Sequence, residues 1–314
     1  MKQILVISGK GGTGKTILTA SFARLAEKKV MADCDVDAAD LHLILHPKVK
    51  EKHEFKGLPK AFINQKKCTG CGECAKVCRY GAVINIDARY KMQARPASQG
   101  EAVDTRYKNK KNNLQFLIDA SSCEGCAICM HVCPVDAISM KDTISGEWYI
   151  SETKYGPMVH AKLGIAEENS GKLVSVVRQH AKSLAQEKNL DYVIIDGPPG
   201  IGCPVIASLS GIDIALIVTE PTLSGIHDME RVISVAKHFG IQVACVINKF
   251  DINLNNTKNI ENWCQINNVP FIGKIPYDQS VTESIVYGVP LVEYAENKVT
   301  QEMKNIWQTL SENY

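Results

Sequence analysis

The chain has no long hydrophobic run. None of its apolar stretches approaches the ~20 residues needed to cross a bilayer. Its first segment, strand-like over Ile4 to Ile7, carries neither the basic flank nor the cleavage site of a secretory signal. An excess of one charge is missing too. The 36 basic and 34 acidic residues leave a formal net charge of +2, which gives no global field to draw in DNA or an anionic membrane. The expectation is a soluble, cytoplasmic protein whose partners are neither nucleic acid nor membrane. With 314 residues at 45% hydrophobic content, the chain can build a large core in one domain or two modest ones.

Cysteine, by contrast, is abundant. There are twelve, and eight fall in two short runs of identical spacing. In a cytosolic chain such clusters point to metal rather than disulfides. Elsewhere, short apolar runs rich in β-branched residues occur at Gln3 to Ser8, Lys29 to Ala32, Tyr192 to Ile195, Ile214 to Thr219 and Gln242 to Asn248. Between the later ones lie helical patterns such as Met229, Ile233 and Ala236. Strands alternating with helices predict an α/β fold with a mostly parallel sheet covered on both faces. The alternation stops after about Lys56 and resumes near Trp148. Residues 57–144 therefore read as a module inserted into a domain made of 1–56 and 145–314. Inside it "CTGCGECAKVCRYGAV" (68–83) and "CEGCAICMHVCPVDAI" (123–138) form an internal repeat. The polar, basic stretch 87–113 between them, with Lys108, Lys110 and Lys111, reads as a solvated loop.

The segment "SGKGGTGKT" fits the phosphate-binding pattern GxxxxGK[ST], from Gly9 to Gly14, Lys15 and Thr16, after a strand and before a helix. Gly9, Gly11, Gly12 and Gly14 let the backbone N–H groups around Lys10 and Thr13 turn into one nest at a helix N-terminus, where an anion is favoured. Lys15 would meet the outer phosphates and the Thr16 hydroxyl Mg²⁺. "VIIDGPPG" is an apolar strand ending in Asp196, followed by Gly197 and Gly200, which allow movement.

With its early lysine, KGGTGKT resembles the deviant loop of the MinD, ParA, Mrp and nitrogenase iron protein class of P-loop ATPases. The resemblance implies that Lys10 reaches across a dimer interface to the nucleotide of a second copy, so a nucleotide-dependent homodimer is expected. It also implies that Asp35, in "ADCDVDAADL", orients the attacking water beside Asp33, and that Asp196 is a second Mg²⁺ position; Asp40, a carboxylate past the strand end, reads instead as a cap of the next helix. In "VINKFD", Asn248 would lie by the base, as would Pro276 of "IPYD". NKxD alone is a guanine-reading motif; the resemblance selects ATP, and GTP stays open. Cys203 stands where the iron protein has a cluster cysteine, but the second cysteine of that site has no counterpart, so Cys203 reads as a buried structural thiol. "TEPTLSGIHD" (219–228) and "EENSGKLV" (167–174) also resemble this class. Val299, Met303, Ile306 and Leu310 predict a closing helix packed on the core rather than a membrane anchor.

The repeat CxxCxxCxxxC resembles the bacterial two-cluster ferredoxin. It implies an α+β module holding two [4Fe–4S] clusters, one on Cys68, Cys71, Cys74 and Cys133, the other on Cys78, Cys123, Cys126 and Cys129. Arg79 stands where the second run has Pro134, which would make the clusters inequivalent. The combined resemblance implies catalytic Lys10, Lys15 and Asp35, with ATP, Mg²⁺ and the clusters as cofactors. It further implies nucleotide-driven dimer closure that gates electron transfer to a redox partner or a related ATPase paralogue. The alternative is a cluster carrier or assembly ATPase of the Mrp type.

Overall fold

The computed structural model describes residues 1–87, 114–164 and 170–314. The run Lys108, Lys110 and Lys111, and the first residues of the 167–174 segment, lie outside the described residues. The chain opens with β1 (Lys2–Ser8), α1 (Lys15–Leu25), β2 (Lys29–Asp33), α2 (Leu41–Leu45) and β3 (Lys48–Lys56). A central part holds β4 (Lys60–Ile63), α3 (Glu73–Val77), β5 (Val83–Asp87), β6 (Leu114–Ile118), α4 (Ile128–His131) and β7 (Ile138–Lys141). There follow β8 (Ile144–Thr153), β9 (Gly156–Leu163), α5 (Ser170–Glu187), β10 (Tyr192–Pro199), α6 (Cys203–Leu209), β11 (Ile214–Thr219), α7 (Leu223–His238) and β12 (Gln242–Asn248). The chain closes with α8 (Leu254–Ile266), β13 (Phe271–Ile275), α9 (Ser280–Tyr287), α10 (Leu291–Tyr294) and α11 (Lys298–Asn313).

Two compact units result, one within Lys56–Ser145 and the other built from Met1–Phe55, Gly146–Leu163 and the chain from 170 onward. The larger unit is a nine-stranded sheet in the order β13-β12-β11-β1-β10-β2-β9-β8-β3. From β13 to β9 every pairing is parallel, and β8 adds antiparallel to β9. The reason is legible in β1. Successive side chains of a strand face opposite ways, so Leu5 and Ile7 enter one core with α5 to α8, while Ile4 and Val6 enter the other with α1, α2, α10 and α11. Both faces of the strand are dry, hence its unbroken apolar sequence. Helix α11 turns Val299, Met303, Ile306 and Leu310 onto the second core, and its start is closed by a reciprocal pair of hydrogen bonds between Asn297 and Thr300. No helix among the described residues is long and apolar enough to cross a membrane.

In the smaller unit β4 pairs antiparallel with β7, and β5 with β6. Each half runs strand, cysteine loop, short helix, strand. The backbone repeats as well, turning left-handed at Gly70 and Gly125, at Gly72 and Ala127, and at Gly81 and Asp136. The sequence repeat is therefore a repeat of conformation.

Candidate functional site

The carboxyl ends of β1, β2, β10, β11 and β12 meet at one rim, the place where open parallel sheets bind ligands. There the chain leaves β1 through the glycine loop. Gly14 is left-handed at φ 90°, and a Cβ on it would stand 2.3 Å from Asn248 Nδ2. That nitrogen donates to Thr13 O at 2.8 Å, so β12 braces the loop. Gly9 packs so closely on α7 that a Cβ would lie 2.4 Å from the Asp228 backbone.

A cleft of about 570 Å³ opens over the loop, lined among others by Gly11, Gly12, Gly14, Lys15, Thr16, Asp35, Asn248 and Pro276. The other expected residues, Gly9, Lys10, Thr13 and Asp196, do not line it. Lys15 is buried, its Nζ 3.7 Å from Asp35 Oδ2. Burial raises the Asp35 carboxyl above its usual range, and Lys15 opposes the rise. Asp196 is pushed up to about 6 by burial, against the pull of Lys15 and a hydrogen bond from Thr16. Its Oδ1 also lies 3.2 Å from Thr19 Oγ1. Asp33, beside it on β2, is raised by burial and by the charges of Asp196 and Asp35. Among the described residues, Thr13 Oγ1, Asp33 Oδ2 and Asp196 Oδ2 are buried without a partner. Unpartnered buried oxygens at a rim of lysine and backbone N–H groups are what a Mg²⁺–phosphate group would satisfy.

Two expectations need correction. Asp40 stands at the start of α2, but its side chain makes no capping bond; the Leu41 N–H goes to Asp33 instead. Cys203 is exposed, not buried. Lys10 Nζ lies 2.9 Å from Glu220 Oε1 of the same chain. Glu220 was not singled out by the sequence. The signal available was its position, one residue past the buried end of β11 at the rim where the other strands end.

In the smaller unit, one cavity is lined by Cys68, Cys71, Cys74 and Cys133, and a second by Cys78, Cys123, Cys126 and Cys129. Each is about 20 Å³, water-sized as it stands. Among the described residues no group of three or more His, Cys, Asp or Glu side chains is set to hold a metal ion. Apolar side chains complete the walls: Ile63, Phe116 and Ile138 on one, Val83, Ile118 and Ile128 on the other. Burial raises the thiols of Cys74 and Cys129, and neighbouring cysteines add to it.

The nucleotide binding domain of CobQ, CobB, MinD and ParA matches residues 4–291. An uncharacterized protein of Methanocaldococcus jannaschii is 33% identical over 316 residues, covering 99% of this chain and 96% of its own. The septum site-determining protein MinD of Synechocystis is 25% identical over 302 residues, 93% of this chain and 82% of its own. Among solved structures, MinD complexed with Mg-ADP from Pyrococcus horikoshii covers 99% of this chain and 96% of that one at TM-score 0.56 and 16% identity, a likeness of fold. With the glycine loop, the paired lysine and carboxylates and the parallel sheet in place, the chain belongs to the CobQ/CobB/MinD/ParA nucleotide-binding family, as a P-loop ATPase of the MinD/ParA type.

Proposed function

We propose that the protein hydrolyses ATP and that nucleotide-driven pairing of two copies gates electron transfer through two [4Fe–4S] clusters to a partner protein. The observation that carries this reading is the grouping of the cysteines, three from one run and one from the other at each cavity, in a chain that also has the phosphate loop. All eight donors are soft sulfur, the walls are apolar, and backbone N–H groups reach Cys133 Sγ from Ala137 at 3.2 Å and Cys123 Sγ from Ala61 at 3.5 Å. This donor set suits iron–sulfur clusters, whose potentials such N–H bonds tune. Thiols raised by burial stay protonated at neutral pH until a metal replaces the proton. When bound, the clusters would supply one-electron chemistry. Four-thiol sets closed within one chain favour a permanent relay over a cluster handed on.

At the rim, Lys15 and the loop N–H groups would hold the phosphates, Thr16 and Asp196 would hold Mg²⁺, and Asp35 would orient the attacking water. For the base, the guanine-reading groups of NKxD are already engaged. Asp251 Oδ1 accepts the Tyr277 N–H at 2.8 Å, and Lys249 Nζ lies 3.3 Å from Gly12 O and 3.4 Å from Glu220 Oε2. That supports ATP over GTP, with Asn248 and Pro276 beside the base. The MinD solved with Mg-ADP supports the same class of ligand here.

The test is the iron content of anaerobically reconstituted protein. Wild type should carry roughly eight irons per chain. Cys68→Ser combined with Cys133→Ser should lose one cluster, whereas Cys68→Ser combined with Cys78→Ser should lose both. Zinc without iron, or equal losses in the two double variants, would sink the reading.

A further inference from the structure

The Glu220 carboxylate is almost enclosed, with 8% of the residue exposed, yet it carries two lysines. Lys10 Nζ is 2.9 Å from Oε1, and Lys249 Nζ is 3.4 Å from Oε2. One cation comes from the phosphate loop and the other from the loop after β12. The carboxylate is the fixed member. Thr222 N–H donates to Glu220 O at 2.8 Å, Thr222 Oγ1 accepts from Gly225 N to start α7, and a Cβ on Gly225 would stand 2.4 Å from Glu220 O. The lysines are the adjustable members, with side-chain exposures of 41% for Lys10 and 32% for Lys249. Burial alone would raise the Glu220 carboxyl, but the Lys10 hydrogen bond and the Lys249 charge hold it below its usual value, so it is ionised at neutral pH.

We propose that Glu220 is a positioning residue that keeps Lys10 within its own subunit until a second copy of the chain engages it, and that Lys249 takes over the carboxylate when Lys10 leaves. This rests on the reading above in which Lys10 acts across a dimer. The physical case is one of compensation. Stripping a buried carboxylate of its only cation is strongly destabilising, and an enclosed Glu220 paired with Lys10 alone would resist release. Lys249 already stands at the second oxygen, so the departure of Lys10 leaves a paired carboxylate. What remains to be broken is one ion pair whose lysine is 41% exposed in its side chain, so water can take up the ammonium as it leaves. A dimer interface can offset that loss. Lys249 also touches Gly12 O and follows Asn248, the brace of the loop, so the base end of the cleft shares a carboxylate with the lysine meant for the partner.

The experiment is dimerisation by sedimentation equilibrium, with each variant saturated by a non-hydrolysable ATP analogue and nucleotide affinity titrated separately. Glu220→Gln should release Lys10 and tighten the dimer by about threefold to tenfold, and Glu220→Asp, with its carboxylate drawn back, by less. Lys249→Met should loosen it. In a Lys10→Ala background, which should itself dimerise poorly, Glu220→Gln should change nothing further. That coupling separates release of Lys10 from a general effect on folding. Should Lys10→Ala lose the dimer while Glu220→Gln and Glu220→Asp match wild type or weaken it, the latch is wrong and the trans lysine survives. A dimer in Lys10→Ala as tight as wild type overturns the trans reading and the latch with it. If Lys249→Met leaves the dimer unchanged or tightens it, the handover is overturned.

Discussion

Asp35 and Lys15 neutralise each other across 3.7 Å in the open cleft. Replacing Asp35 by Asn removes the group expected to orient water and at the same time frees Lys15 for phosphate. Nucleotide affinity should therefore hold or rise while hydrolysis falls by about tenfold or more, since positioning of the attacking water acts in the transition state. Equal turnover in wild type and Asp35→Asn would remove Asp35 from that role. A second residue governs stability. His160 is half-buried, with its Nε2 2.9 Å from Ser151 Oγ, and burial lowers its pKa to about 4, the nearby His42 charge adding to the shift. In the unfolded chain it titrates near ~6.5. Between those values the unfolded state binds more protons, so stability is full above about pH 6.5 and is lost as pH falls toward 4, by on the order of 3 kcal/mol. His160→Gln should flatten that part of the pH profile in denaturant unfolding; an unchanged profile would show that His160 does not titrate this way. At this scale the glycine loop and Asp35 lining one cleft, and the grouping of the eight cysteines at two cavities, were legible because their spacing follows a pattern. Glu220 was not, because its meaning depends on two lysines at positions 10 and 249, brought to it only by the sheet.

Elements explain why the loop holds its shape. It is fixed between α7, which meets Gly9, and β12, whose Asn248 meets Thr13 and Gly14. Gly9→Ala puts a methyl against the Asp228 backbone, where neither side can swing away, so the loop must lift from α7. We expect ATP affinity to drop at least about tenfold in calorimetric titration, with a cooperative melt retained. Near-normal affinity would mean that the loop is not set by this contact. The strands were legible from their apolar runs, since a parallel strand dry on both faces tolerates little else. The observed β10 runs past Ile195 to Pro199, beyond the apolar run, because Asp196 and the residues after it still pair with β1 and β2. Asp40 was misread for a related reason. A carboxylate at a helix start is a cap by local sequence, but Asp33, seven positions back at the end of β2, takes the Leu41 N–H. The conformational repeat of the cysteine unit was visible in its glycines at 70 and 125, whereas the left-handed Ala127 and Asp136 follow from the fold and not from residue preference.

Across the whole molecule, the chain forms two compact units, and the cysteines of both runs fall in the one within Lys56–Ser145. One chain carrying both units invites the central claim, that nucleotide state controls electron flow. The direct test is the rate at which dithionite-reduced protein, reconstituted with iron and sulfide, is oxidised by a one-electron dye. It is followed by the visible absorbance of the protein in stopped flow with MgATP, with MgADP and with neither. The expected rates differ between MgATP and MgADP, and the difference should vanish in Lys10→Ala if that variant fails to close the dimer as proposed. Identical rates in both nucleotides, in protein shown by titration to have bound each, would contradict the central claim.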